Sequence, residues 1–397
     1  MEIFINLLFL SIGFFFITRR QKVYSSLVNH FTIFGFVWPF ITVGTQLAYP
    51  KQVAIEVVIF YYICWFAYIF GSSLFKHNFS KVIEISSTTY SRIKILIIFL
   101  FLFCIISNWE LLSLILNIGN LLAWAALRKE NGFEDLDSNI FFTLFQRVYL
   151  VFIPLGIFLF KNQKISKIFL SVLIFSGFIF SILKFTRAPI LNLFIVLLVS
   201  YVYIYKKKLP LFSIMVSVLI IFLIFGGSML ILTKDSSGYN LVDDINLYLF
   251  GGQVAYQDFF DGSYIDNMRY DINNYSLDFV NYILKKVGFI DTYPSYVREY
   301  TNNPIVITNI YTFLDAFTYD LGIVGALIGA FVMGLFSDYS YRIYNSRRNI
   351  FALVFYGYIC YFNCFVFANN EFIRFPVLLT AVSLIFYNFL VKIKYEK

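Results

Sequence analysis

Apolar residues in this chain are gathered into long blocks separated by short polar stretches, with no two-residue alternation inside a block. Blocks of near-spanning length occur at 3–18, 29–49, 52–74, 93–116, 140–160, 165–183, 188–205, 209–232, 316–336, 350–367 and 373–391. As helices rising 1.5 Å per residue, they cross or nearly cross the hydrocarbon core of a bilayer. The pattern predicts an all-α polytopic membrane protein with about 11 transmembrane helices. One segment interrupts it. Residues 233–315 are polar, rich in Asn and Asp, and contain ten tyrosines from Tyr239 to Tyr300. A loop of that length is too long to be a mere connector. The chain therefore divides into 1–232 with helices one to eight, 233–315 as one large loop, and 316–397 with helices nine to eleven. This is a single membrane domain with an inserted loop, and no internal repeat is visible.

Charge orients the helices. With the N-terminus outside, the inner segments carry Arg19, Arg20 and Lys22, then Lys76, Lys81, Arg92 and Lys94, then Lys161, Lys164 and Lys167. Lys206, Lys207 and Lys208 follow, then Arg342, Arg347 and Arg348, then Lys392, Lys394 and Lys397. Cytoplasmic loops concentrate basic residues in this way. The net charge of +8 is thus spread along one face of a membrane and implies no nucleic-acid partner. The basic residues near the N-terminus follow its apolar block rather than precede it, so a cleavable signal is not expected. Cys64, Cys104, Cys360 and Cys364 fall inside apolar blocks and imply no disulfide framework.

Acids sort the other way. Of 23 acidic residues only Glu84, Asp338 and Glu396 fall on the cytoplasmic side, and both histidines, His30 and His77, lie near that face. No cytoplasmic carboxylate cluster or glycine-rich phosphate loop is present for nucleotide chemistry, and no His or Cys cluster for a metal outside. Chemistry is expected on the outer side, without metal or cofactor.

Several features there can carry it. "RAP" at Arg187–Pro189 and "RFP" at Arg374–Pro376 each open a helix running inward. Arginine at a helix end that is already electropositive either cradles an anion or snorkels to headgroups. Arg147 is predicted about two turns inside the fifth span, where it faces a polar cavity or pairs with Glu56 or Glu110. "SLDFVNYILKKVGF" places Leu277, Val280, Leu284 and Val287 on one helical stripe suited to the bilayer surface. "DTYPSYVREYTNNP" joins Tyr293, Tyr296 and Tyr300 to Arg298 and Glu299. Tyrosine offers a flat apolar face and a hydroxyl to a sugar, or forms an interfacial belt. Downstream, "NIYTFLDAFTYDLGIVG" leads into the ninth span. As one continuous helix it sets Tyr311, Asp315, Thr318 and Gly322 on one face, with Asp320 about 140° round from Asp315. Gly322, Gly325, Ala326, Gly329 and Ala330 then favour close packing. Asp315 and Asp320 serve as general bases or sugar ligands, or as helix caps.

The strings "TNIYTFLDAFTYDLGIVGALIGAFVMG", "TYPSYVREYTNNP" and "SILKFTRAPILNLF", with the topology, resemble the oligosaccharide repeat-unit polymerases (Wzy-type O-antigen or capsule polymerases). The resemblance implies a GT-C-like enzyme of the bacterial inner membrane, N-terminus periplasmic and C-terminus cytoplasmic, active on its periplasmic side. It implies transfer of a glycan chain from undecaprenyl diphosphate to a sugar hydroxyl of another lipid-linked repeat unit. The partners are then that lipid-linked oligosaccharide, membrane lipid and a chain-length regulator protein, with no cofactor. Arg187, Arg298, Arg374, Arg147 and Arg269 take the diphosphate; Tyr293, Tyr296, Tyr300 and Tyr311 take sugar; Asp320, Asp315 or Glu299 is the catalytic carboxylate. Some polymerases carry Arg-x10-Gly in their outer loops, whereas Arg187, Arg269 and Arg298 are followed at that spacing by Leu198, Val280 and Asn309. An O-antigen ligase shares this topology and donor. A lipid-linked oligosaccharide flippase should instead show two similar bundles and no large outer loop.

Overall fold

Among the described residues, apolar blocks too long to be strands fold as helices, in which the backbone satisfies its own hydrogen bonds. The computed structural model describes residues 2–21, 24, 26–74, 84–85, 87–109, 112–113, 145, 147–182, 187–206, 241–261, 280–281, 284–285, 287–289, 306, 312–347, 349–367, 375–391 and 395–396. Among the described residues the helices are α1 (Glu2–Gln21), α2 (His30–Ala48), α3 (Ile55–Gly71), α4 (Ser87–Ser107), α5 (Tyr149–Lys161) and α6 (Lys167–Ile182). They continue with α7 (Arg187–Tyr205), α8 (Leu241–Phe260), α9 (Asp315–Arg347), α10 (Ile350–Cys364) and α11 (Phe375–Val391). A two-residue antiparallel pair joins β1 (Glu84–Ile85) to β2 (Tyr395–Glu396), with Glu84 opposite Glu396. His30–Ala48, Thr88–Ser107 and Asp315–Asn345 are long and apolar enough to cross a membrane. Large apolar side chains on the outside of α4, such as Ile95 at 67% exposed, suit hydrocarbon rather than water.

Ten helices answer to expected spans, and the eighth expected span, 209–232, lies outside the described residues. Two boundaries move. The fourth helix starts at Ser87 and ends at Ser107, and the fifth starts at Tyr149, so Arg147 stands in a turn before α5 and not two turns inside it. The remaining helix, α8, lies within the segment read as loop.

The chain forms two compact units. The first contains residues 1–78, 240–342 and 362–378. Its α2 starts cleanly because the Asn29 side chain accepts a hydrogen bond from Thr32 N at 2.8 Å. α1, α2 and α3 pack on one another, and α8 packs along α2. Aromatic rings fill the interior: Trp38 lies between Phe34, Tyr61 and Phe313, and its indole donates to Tyr61 O at 3.0 Å. α3 and α9 cross backbone to backbone. A Cβ on Gly334 would fall 2.1 Å from Tyr68 O, and one on Gly71 would fall 2.2 Å from Phe331 O. Ser72 Oγ donates to Gly334 O at 3.1 Å across the same crossing. Near it, Tyr24 donates to Asp338 Oδ1 at 2.8 Å, and His30 Nε2 stands 3.7 Å from that oxygen, all three residues buried. The α1–α2 connection is thereby tied to α9.

The helix into which the acid-rich stretch leads is not continuous. Gly322 has φ +66° and ψ −162°, and α9 is two helices joined at that residue. Only glycine occupies this backbone region readily. The turns 315–321 double back so that Phe317 covers the longer helix. A Cβ on Gly329 would meet the Phe317 ring at 2.3 Å, and one on Gly325 would meet Phe317 O at 2.3 Å. The expected close packing of small residues therefore occurs partly within α9 itself.

The second unit contains residues 79–239, 343–361 and 379–397. Its centre is α5, apolar all round and buried at every position from Tyr149 to Gly156, as expected of a helix with neighbours on all sides. α4, α6 and α7 surround it. α5 ends in a Schellman motif: Lys164 N donates to Leu159 O and Gln163 N to Phe160 O, each at 2.9 Å. Gln163 sits at the left-handed position of that motif, φ +56°, where glycine is usual.

Candidate functional site

The acid-rich stretch and α8 meet at one end of the first unit. Phe313 anchors the approach: its ring packs against Trp38, and its backbone N donates to Val366 O at 2.8 Å. Thr312 Oγ1 accepts from Leu314 N at 3.3 Å, closing a short turn that starts the 315–321 helix. Asp315 opens that helix and is only 4% exposed, while Asp320, on its far side, is half-buried.

A line of hydroxyls flanks Asp315. Thr318 Oγ1 gives its one proton to Leu314 O at 2.9 Å, so in the 2.6 Å contact between Tyr256 Oη and Thr318 Oγ1 it is Tyr256 that donates. Tyr256 on α8 is fully buried and is an electrostatic neighbour of Asp315. A second relay holds α8 in place. Gln253 Nε2 donates to Thr42 Oγ1 at 3.1 Å, Thr42 donates to Trp38 O at 2.9 Å, and Tyr61 Oη donates to Gln253 O at 2.7 Å. Gln257 Oε1 accepts from Ala54 N at 2.8 Å where α3 begins. One carboxylate thus lies buried among threonine and tyrosine hydroxyls on a short helix separated from its continuation by Gly322. Such a carboxylate can take a proton from a hydroxyl brought to it, or orient that hydroxyl.

The sequence singled out Asp315 and Asp320 but missed Tyr256, Gln253, Thr42 and Tyr61. The available signal was the run Phe250, Gln253, Val254, Gln257, spaced i, i+3, i+4, i+7, which turns toward α2 and α3.

Of the expected arginines, Arg147 and Arg187 are among the described residues. Arg147 belongs to the second unit, half-buried, with its Nε buried and making no hydrogen bond. Among the described residues the ion pair is His30 with Asp338, and Glu110, one of the two carboxylates offered as a partner for Arg147, lies outside them. Arg187 opens α7 as expected of the "RAP" string. Glu299, Arg269, Arg298, Arg374, Tyr293, Tyr296, Tyr300 and Tyr311 lie outside the described residues. Of the stripe expected on the bilayer surface, Val280 and Leu284 are helical and half-buried. Its helix ends in a second Schellman motif at Gly288, φ +77°, with Phe289 N donating to Leu284 O at 2.8 Å. No group of three or more His, Cys, Asp or Glu that would hold a metal occurs among the described residues.

Compared with protein-family models, with curated proteins and with solved structures, the chain has no match in any of the three.

Proposed function

We propose that this protein is a membrane glycosyltransferase of the repeat-unit polymerase kind, moving a glycan chain from undecaprenyl diphosphate to the sugar hydroxyl of another lipid-linked repeat unit. The observation that carries the reading is Asp315, a carboxylate buried among Thr312, Thr318 and Tyr256 beside the break at Gly322. In this reading the enzyme is GT-C-like and lies in the bacterial inner membrane with the Asp315 end of its first unit periplasmic, in keeping with the basic inner loops. The acceptor hydroxyl attacks the anomeric carbon of the donor. The bond from that carbon to the diphosphate oxygen breaks, and the diphosphate leaves with the electron pair. The hydroxyl proton passes to a carboxylate, for which Asp315 is the first candidate and Asp320 and Glu299 the others. Arginines stabilise the charge that develops on the leaving group.

The test is deletion of the gene, followed by a gel of the surface lipopolysaccharide and by complementation with variants. Loss of polymerase activity leaves core bearing one repeat unit. Bare core would point to the ligase instead. Asp315→Asn keeps volume but not basicity, and removing a general base costs about 100-fold or more in rate. Asn at 315 supporting ladders of normal length, at normal protein level, would remove Asp315 from the chemistry.

A further inference from the structure

α5 and α7 pack together in the second unit and finish at the same end, where three lysines gather. Lys161, the last residue of α5, donates through its Nζ to Ile204 O in the last turn of α7, and lies 6.0 Å from the centre of the Tyr205 ring. Lys206 follows at φ +52°, in the left-handed region just past α7, and acts on Lys161 as a like charge. Lys164, whose backbone N closes the Schellman motif of α5, carries its ammonium 5.3 Å from the centre of the Tyr90 ring. Tyr90, on α4, is fixed there: its hydroxyl donates to Asn162 Oδ1 at 3.2 Å, and its ring stacks on Phe158 with centroids 5.9 Å apart.

These charges are not cancelled by the chain. All three lysines are exposed, and none of them makes an ion pair among the described residues. Carbonyl ends of helices attract cations, which accounts for Lys161 against Ile204 O. It does not account for Lys206 brought beside Lys161, or for Lys164 held over a ring. An ammonium has three protons to give; Lys161 gives one to Ile204 O, and those of Lys164 and Lys206 meet no acceptor among the described residues. The neighbouring surface is apolar. α6 begins at Lys167, three residues after Lys164, and its Ile168, Val172 and Phe175 are exposed at the spacing i, i+4, i+7, a stripe leading away from the lysines. Gathered cations, amphipathic rings and an apolar stripe match a ligand with anionic oxygens at one end and hydrocarbon at the other.

We propose that the shared end of α5 and α7 binds the phosphate of an anionic membrane lipid, held by Lys161, Lys164 and Lys206, with its acyl chains along the outer stripe of α6. The three lysines belong to the basic segments read as inner, so the lipid is one of the inner leaflet. Tyr90 and Tyr205 mark the headgroup level, each ring lying under a lysine. Neither the ligand nor the residues that hold it depend on the polymerase reading.

The experiment uses the purified full chain in detergent micelles, with phosphatidylglycerol, phosphatidylcholine and inorganic phosphate as probes. Acetylation of lysines with a limiting amount of an N-hydroxysuccinimide ester, read residue by residue by peptide mass spectrometry, reports access to each ammonium. Phosphatidylglycerol should slow Lys161, Lys164 and Lys206 more than Lys51, an exposed lysine of the first unit, and phosphatidylcholine should slow none of them. That arm uses the unaltered protein and decides the matter even where a variant does not accumulate. Native mass spectrometry of the same mixtures counts retained lipid. Lys164→Gln is expected to weaken retention of phosphatidylglycerol roughly fivefold, the worth of one lysine at an anionic membrane surface, and to leave phosphatidylcholine unchanged. Equal slowing at Lys51, equal retention of the two lipids, or unchanged affinity in Lys164→Gln overturns the site. Slowing by inorganic phosphate as strong as by phosphatidylglycerol would assign the lysines to a soluble phosphate and overturn the lipid as their ligand.

Discussion

Gly322→Ala changes the stability of the fold in a direction that depends on whether α9 is broken. In a continuous helix, replacing glycine by alanine stabilises by about 0.5–1 kcal/mol, because glycine loses more backbone freedom on folding. At φ +66° and ψ −162° the opposite holds. An L-residue held in that region costs on the order of 1–3 kcal/mol. Nothing else contributes, since a Cβ built on Gly322 meets no atom within 4 Å. The expected result is therefore destabilisation of about 1–3 kcal/mol, roughly a 5- to 150-fold shift of the unfolding equilibrium. The assay is denaturation of purified protein in mixed micelles with increasing SDS, followed by far-ultraviolet circular dichroism and compared at the midpoint. Because the side chain has room, a loss cannot come from steric collision. An alanine variant as stable as the parent, or more stable, would mean that the helix runs straight through residue 322 and that Asp315 is not set on a separate turn.

Other substitutions probe neighbouring features by the same denaturation assay. Gly334→Ala drives a methyl to 2.1 Å from Tyr68 O, so α3 and α9 must separate at a loss of about 1–3 kcal/mol; an unchanged midpoint would deny the backbone crossing. Gln163→Gly relieves a left-handed residue, φ +56°, and should stabilise by about 1 kcal/mol, with a loss of stability arguing against the Schellman ending of α5. Tyr256→Phe removes the bond to Thr318 without changing shape, expected to cost about 0.5–1.5 kcal/mol; no change would mean that this hydroxyl does not hold α8 against the acid-bearing helix.

Hydropathy reads helices here because outward-facing and core-facing residues are alike apolar, and for that reason it is blind to helices whose one polar face is satisfied internally. α2 and α4 were legible from their blocks alone. α8 was not: Asp243, Asp244, Gln253 and Gln257 make its segment look like loop, yet Gln253 spends its polarity on Thr42 and Tyr61, and Gln257 on Ala54. A polar residue lowers the hydropathy of a segment equally whether water or a threonine satisfies it. The glycines of α9 carry a similar ambiguity. Gly329 makes room for Phe317, Gly334 makes room for Tyr68, and Gly322 alone exploits a backbone region closed to other residues. One letter stands for all three, and only the neighbours assembled by folding tell them apart. Asp315 was legible as an acid at the mouth of a span, but its neighbour Tyr256 lies some sixty residues earlier in a helix that hydropathy hides. Arg147 shows the converse: the residue type flagged it, while its place in a turn before α5 with a buried Nε is a property of the packed unit and of no local string.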